Sequence, residues 1–277
     1  MTFTFLQAVV MALLQGVTEL FPVSSLGHAV VLPKLLGWKI DERAPDFLPY
    51  LVVMHLGTAT ALLIYFWREW IGFLQAFLSP SGEDASARRR LFLLVCVGTV
   101  PAVLLALVFR KLLGDAFGTP VLAAAMLIVN GFLLFFGEKL RRADDGASLD
   151  RLNWRGAAAI GVTQAFALIP GISRSGATIV GGILVGLHHR EAARFAFLLA
   201  TPIIFAAGVH EAPKLLHSGA TLGPAALVSG VVAGVVAYAS TAFLMRYFKD
   251  HEFEALNPFA YYCIAAGALS LGLLYVL

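Results

Sequence analysis

Blocks of about twenty apolar residues recur along this chain, the length an α-helix needs to cross ~30 Å of hydrocarbon. Six segments fit a full crossing: 46–67, 88–110, 117–139, 190–211, 221–246 and 257–276. Only 13% of the 277 residues are charged, too few to keep a soluble domain dissolved. The first charged residue is Glu19. Lacking the basic start of a secretory signal, Met1–Leu14 is expected to be mature structure. A net charge of +3 gives no footprint for nucleic acid. Cys96 and Cys263 lie inside apolar blocks, with neither metal-ligand nor disulfide spacing.

Two other apolar stretches, about 3–36 and 156–187, are interrupted in the middle. The first break is Phe-Pro-Val-Ser-Ser-Leu-Gly-His at 21–28, the second Pro-Gly-Ile-Ser-Arg-Ser-Gly at 170–176. A straight helix of that length would overshoot the bilayer, and Pro removes an N–H and clashes with the preceding turn. Each stretch therefore reads as a re-entrant helical hairpin, two half-helices that enter and leave on the same side. Broken backbone survives at that depth only under cover of protein or a watery cavity.

A gapless shift of 149 residues places Gln15 on Gln164, Ser24 on Ser173, Gly27 on Gly176, Val31 on Val180, Leu35 on Leu184 and Gly37 on Gly186. Each hairpin is followed by three crossings. An odd number inserts the second half upside down, which is the inverted-repeat architecture of broken helices meeting near the midplane. The expectation is an all-α integral membrane protein of one membrane domain, 1–277. Its halves are about 1–140 and 150–277, each a re-entrant helical hairpin plus three transmembrane helices. Loops 68–90, 140–155, 188–194 and 246–253 and their edges carry 13 of the 20 basic residues. Six, including Lys34, Lys39, Arg43, Arg110, Lys111 and Lys214, fall on the other side. The positive-inside rule makes the first side cytoplasmic, so both termini and the mouth of the first hairpin face the periplasm.

Ionisable residues at membrane depth are functional candidates. Glu19, His28 and Arg174 are three, all in the broken regions that the repeat brings together. In the second break a half-helix starts near Ser173, and its free N–H groups and dipole favour an anion. Gly171 permits unusual dihedrals, Ser173, Ser175 and Thr178 add hydroxyls, and Arg174 adds a planar fork suited to phosphate. In the first break Gln15 and Glu19 share a helix face. Glu19 is suited to holding a cation, orienting a water or moving a proton. Ser24 and Ser25 start the next half-helix, and His28, a turn on, is suited to act as nucleophile or general acid. The plainer alternative pairs Glu19 with Arg174 as a structural salt bridge. His188 and His189 read as solvated residues of a basic turn, His55 as a core histidine and Asn130 as a helix–helix hydrogen bond. His210, Glu211, His217 and His251 sit near span ends, where snorkelling accounts for them.

These breaks carry a family resemblance over essentially the whole length. Gln15-x-x-x-Glu19, Pro-Val-Ser-Ser-x-Gly-His at Pro22–His28 and Pro-Gly-x-Ser-Arg-Ser-x-x-Thr at Pro170–Thr178 resemble the motifs of the undecaprenyl-diphosphate phosphatase, or bacitracin-resistance, family. The resemblance implies hydrolysis of the terminal phosphate of undecaprenyl diphosphate, which recycles the lipid carrier of peptidoglycan synthesis. It also implies a divalent cation, Mg²⁺ or Ca²⁺, and an active site in the inner membrane open to the periplasm. Glu19, His28 and Arg174 would then be the catalytic core. Gln15, Ser24, Ser25, Gly171, Ser173, Ser175 and Thr178 would line the phosphate site, with Glu19 and Gln15 toward the metal. Many members have Glu where this chain has Gln15, and Thr where it has Leu26. The partners implied are the polyprenyl diphosphate substrate and membrane lipid, with a homodimer left open. The rival class is a polyprenyl-phosphate transporter using the same site, since inverted repeats with broken helices are how secondary carriers are built.

Overall fold

The computed structural model describes residues 4–40, 47–79, 83–108, 119–141, 146–217 and 224–276. Arg43, Arg110, Lys111 and Arg142, counted above for orientation, lie outside them, as do the side chains of His210, Glu211, Lys214 and His217. Among the described residues the chain is all-helical. The helices are α1 (Phe5–Thr18), α2 (Ser25–Leu35), α3 (Phe47–Tyr65), α4 (Trp67–Leu78), α5 (Glu83–Val108), α6 (Pro120–Lys139), α7 (Trp154–Ala165), α8 (Arg174–Leu184), α9 (His189–His217), α10 (Pro224–Asp250) and α11 (Asn257–Val276).

Five helices, α5, α6, α9, α10 and α11, are long and apolar enough to cross a membrane. A sixth candidate is α3 taken with α4, which turns away from it by 71°. The segment expected as a loop from 68 is thus helical to Leu78. The reason lies in Trp-Arg-Glu-Trp-Ile-Gly-Phe-Leu-Gln-Ala-Phe-Leu at 67–78: Gly72, Phe73 and Ala76 are buried, while Trp67, Ile71, Leu74, Phe77 and Leu78 are exposed. Such a helix suits the plane of a membrane interface better than its interior. It packs against α5.

Both interrupted stretches are helix pairs in contact, α1 with α2 and α7 with α8. Their caps explain the breaks. The Ser24 hydroxyl accepts from the Gly27 N–H and the Ser173 hydroxyl from the Gly176 N–H, so each second half-helix begins on a serine N-cap. Both end alike. The Trp38 N–H donates to the Pro33 carbonyl and the Leu187 N–H to that of Gly182. Gly37 and Gly186 take φ +64° and +97°, the left-handed turn that closes a helix.

The core forms around α9, the most enclosed of the five, with Phe195, Phe197, Leu198 and Leu199 buried. Helix α1 packs on α10, and α7 on α5. Helix α3 lies along α10, and α6 along α11. At the tips, a Cβ on Gly27 would come 3.0 Å from the Gly171 Cα, and one on Gly176 would come 3.3 Å from the Pro22 Cβ. The 149-residue shift exchanges these two contacts.

His189 corrects its assignment to a solvated turn. It opens α9 fully buried, its Nε2 2.8 Å from Glu138 Oε2 at the end of α6. Glu138 also accepts the N–H groups of Glu254 and Leu256. The loop between α10 and α11 needs an acceptor for those N–H groups, and Glu138 supplies it. His188 stays partly exposed, 3.4 Å from Glu252.

Candidate active site

The first break presents Glu19 one residue beyond α1. Its backbone N–H continues the helical ladder to the Gln15 carbonyl, which leaves the carboxylate aimed past the helix end. The second break presents Arg174 as the first residue of α8. These side chains, 155 positions apart, meet: Arg174 Nη2 lies 2.5 Å from Glu19 Oε1. Glu19 Oε2 accepts from Gln15 Nε2 at 3.1 Å and from Ser25 Oγ at 2.5 Å. The Glu19 side chain is 8% exposed and that of Arg174 18%. A pair this enclosed holds its charges because each neutralises the other and hydrogen bonds satisfy the rest.

Asn130 of α6, fully buried, ties the breaks together. Its amide donates to the Pro22 carbonyl at 3.0 Å and its oxygen accepts the Ser173 N–H at 2.9 Å. Its Nδ2 also lies 3.3 Å from Cys263 Sγ. The Ser175 hydroxyl donates to the Phe21 carbonyl at 2.9 Å and lies 3.0 Å from that of Ser173. Gly171 has φ +100°, and a Cβ there would come 2.4 Å from the Ala123 carbonyl oxygen. Only glycine fits that place. The Thr178 hydroxyl turns back to the Arg174 carbonyl at 2.7 Å.

His28 lies on the first turn of α2, three residues after Ser25 and so on the same face. Its Nδ1 is 2.7 Å from the Ser24 carbonyl oxygen, which can only accept. That contact puts the ring proton on Nδ1. Nε2 is then the acceptor for the Tyr262 hydroxyl at 2.8 Å, and the Tyr262 ring stacks on the imidazole.

The expected residues Glu19, Arg174, Gln15 and Ser25 therefore form one network. Ser24 and Ser173 cap the adjoining half-helices, with Ser175 and Thr178 on the second. His28 stands beside the network, not bonded within it. Asn130, read from the sequence as a helix–helix hydrogen bond, does reach Cys263 on α11, and it also bridges the breaks, which the sequence did not signal. Tyr262 escaped the sequence reading, with no signal beyond an aromatic near a span end. Gln164, 149 residues after Gln15, is also buried, yet its amide makes no hydrogen bond among the described residues.

Among the described residues no three His, Cys, Asp or Glu side chains gather as a metal cage. Glu19 is the one carboxylate of the network. Gln15 turns its Nε2 to Glu19, so its amide oxygen would join the carboxylate only with the amide turned over; that pair would suit a hard cation that takes its other ligands from phosphate and water.

The family model of bacitracin resistance protein BacA matches residues 8–269. The chain is 54% identical to an undecaprenyl-diphosphatase of Acidiphilium cryptum, covering 97% of each chain. It is 50% identical to one of Granulibacter bethesdensis, covering 98% of this chain and 97% of that relative. With one of Gluconacetobacter diazotrophicus it shares 48% over 97% and 96%. The breaks that join Glu19 to Arg174 fall inside the matched span, and the chain belongs to the BacA family.

Proposed function

We propose that this chain is an undecaprenyl-diphosphatase, a membrane enzyme that hydrolyses undecaprenyl diphosphate to undecaprenyl phosphate and inorganic phosphate. The observation that carries this reading is the contact of Arg174 with Glu19 across two capped helix breaks. It sets a guanidinium, a carboxylate, hydroxyls and two helix N-termini around one point. Relatives at 44–54% identity carry the same activity in their names.

Phosphoryl transfer demands mainly that charge on the transferred group be met by fixed opposite charge. Arg174 exchanges part of its contact with Glu19 for the terminal phosphate, helped by the N–H groups at the start of α8 and by Ser25. His28 presents the Nε2 lone pair once substrate displaces the Tyr262 hydroxyl that Nε2 accepts in the resting site. It forms the new bond to the terminal phosphorus, giving a phosphohistidine whose N–P bond water then cleaves to release inorganic phosphate, or it takes the proton of a water that attacks the phosphorus directly. The bond from that phosphorus to the bridging oxygen breaks, and the bridging oxygen leaves on undecaprenyl phosphate. Tyr262 orients the imidazole. Glu19, and Gln15 with its amide turned over, would hold a divalent cation, Mg²⁺ or Ca²⁺, whose charge would offset that of the diphosphate.

The halves form an inverted repeat with the hairpins re-entrant from opposite sides. The exchanged glycine contacts and the matched packing of α1 on α10 and α7 on α5 support this. The basic loops put the first hairpin's mouth and both termini in the periplasm. A transporter reading rests on that same repeat. Against it, none of the three groups is repeated: the shift puts Leu168, Ala177 and Ser25 opposite Glu19, His28 and Arg174.

The deciding experiment is phosphate release by detergent-solubilised protein given a polyprenyl diphosphate, with and without chelator. Release that Arg174→Ala abolishes while the protein stays folded supports the enzyme. No release from the wild type leaves the carrier.

A further inference from the structure

At the end of the bundle that carries the basic loops, a cavity of about 750 Å³ opens between the end of α3, the start of α9 and the end of α10. Its wall holds four cations, Arg190, Arg194, Arg246 and Lys249, against three carboxylates. Those carboxylates are engaged: Glu69 lies 3.2 Å and Glu191 3.3 Å from Arg194, and Asp250 leans on Arg246 at 3.9 Å. Arg190 and Lys249 have no ion pair among the described residues, and both are exposed. The cavity is thus net positive by one charge, and Arg190 and Lys249 are its cations outside the ion pairs.

An apolar groove of about 690 Å³ lies between the same helices α3 and α10. It runs from Val53 to Ile64 on one side and from Leu227 to Tyr238 on the other. Its floor is where Gly57 and Gly230 meet: a Cβ on Gly57 would come 2.1 Å from the Gly230 carbonyl oxygen. The two sites join end to end, since Ile64 closes the groove and Tyr65 opens the cavity. At the seam Tyr65 and Tyr238 pack edge to face, 5.6 Å apart. Tyrosines mark the level of lipid headgroups.

We infer that cavity and groove together bind one anionic phospholipid, its headgroup phosphate on Arg190 and Lys249 and an acyl chain in the groove. Length selects this occupant. From Val53 to Ile64 the helix rises about 16 Å, close to the ~15 Å depth of one leaflet. An extended chain of eleven isoprene units is far longer than that. Charge selects it too, because a zwitterionic headgroup brings its own cation to a site with cations to spare. The site lies at the end of α3, while the Glu19–Arg174 network sits at the helix breaks. It goes beyond the phosphatase reading and relies on the proposed orientation only for naming the leaflet, the cytoplasmic one.

The test is native mass spectrometry of the purified full-length chain with equal amounts of dioleoyl phosphatidylglycerol and dioleoyl phosphatidylcholine. One phosphatidylglycerol is expected to stay bound in preference. Arg190→Gln with Lys249→Gln should lower its retention about thirtyfold, about fivefold per cation, and leave phosphatidylcholine unchanged. Val231→Trp, which fills the groove and keeps every charge, should also lower it. Phosphate release by these variants in detergent should stay within about twofold of wild type, since among the described residues Arg190, Lys249 and Val231 make no hydrogen bond to the Glu19–Arg174 network. Equal retention of both lipids, or a preference that survives the double substitution, overturns the inference. So does displacement of phosphatidylglycerol mole for mole by a polyprenyl monophosphate, which would make the groove a product site. None of these outcomes touches the phosphatase reading, which stands or falls on phosphate release by the wild type.

Discussion

Both oxygens of Glu19 are engaged before any substrate arrives, one by Arg174 and the other by Gln15 and Ser25. Glu19→Gln keeps the shape but leaves the Arg174 charge without its partner. A fully buried pair broken this way costs ~3–5 kcal/mol. The Arg174 side chain is 18% exposed, so about 2 kcal/mol is expected, read as a lowered thermal midpoint. Phosphate release should fall by about 10²–10³. Adding Arg174→Gln should recover much of the midpoint and none of the activity, and recovery of both would show the pair to be structural only. Tyr262→Phe keeps the ring stacked on His28 and removes one hydrogen bond. It should lower kcat about fivefold, the rate equivalent of ~1 kcal/mol, with the midpoint nearly unchanged. Glu19 and Arg174 stood out in the sequence because charge in an apolar run is rare. Tyr262 did not, because only the packing of α11 on α2 gives it a target.

The helix breaks hold these side chains in place, so substitutions in them should move stability and activity together. Gly171→Ala meets both a positive φ and the Ala123 carbonyl. A loss of about 3 kcal/mol or more is expected, measured as a fall in thermal midpoint with activity lost in parallel. Asn130→Ala leaves the Ser173 N–H and the Pro22 carbonyl without their shared partner. About 1–3 kcal/mol should be lost, and activity should fall although Asn130 touches neither Glu19 nor Arg174 in the hydrogen-bond network. Helices α2 and α8 were legible in advance because Ser-x-x-Gly and a glycine turn bound each. Helix α4 was not, since Arg68 and Glu69 interrupt its apolar pattern and its buried face became definite only against α5. The burial of His189 was hidden for a similar reason. Its neighbours are basic and polar, and its partner Glu138 lies 51 residues away.

Across the whole chain the basic loops predict which way the bundle faces. In a variant with Cys96→Ala, since Cys96 is exposed and Cys263 buried, single cysteines report it. Lys39→Cys should react with an impermeant maleimide on intact cells, whereas Asp150→Cys should react only after the membrane is opened. The reverse pattern would turn the bundle over and move the catalytic mouth to the cytoplasm. The two broken helix pairs were readable from punctuation, because Ser, Gly and Gly recur at one spacing. The meeting of Glu19 with Arg174 was readable as well, since both are charges set in those breaks. The contacts that bind the halves, such as Gly57 against Gly230, were not, because glycine in an apolar span is common.

Gln164 shows what unequal breaks leave behind. Its twin Gln15 steadies a carboxylate, but the position that would offer Gln164 one holds Leu168, so a polar amide is stranded in a greasy seam. Swapping it for methionine removes an idle dipole of similar bulk. The molecule should then withstand heating by about 1–2 kcal/mol more, with turnover untouched. A helix break without a carboxylate, on this account, keeps furniture in a room that does no work.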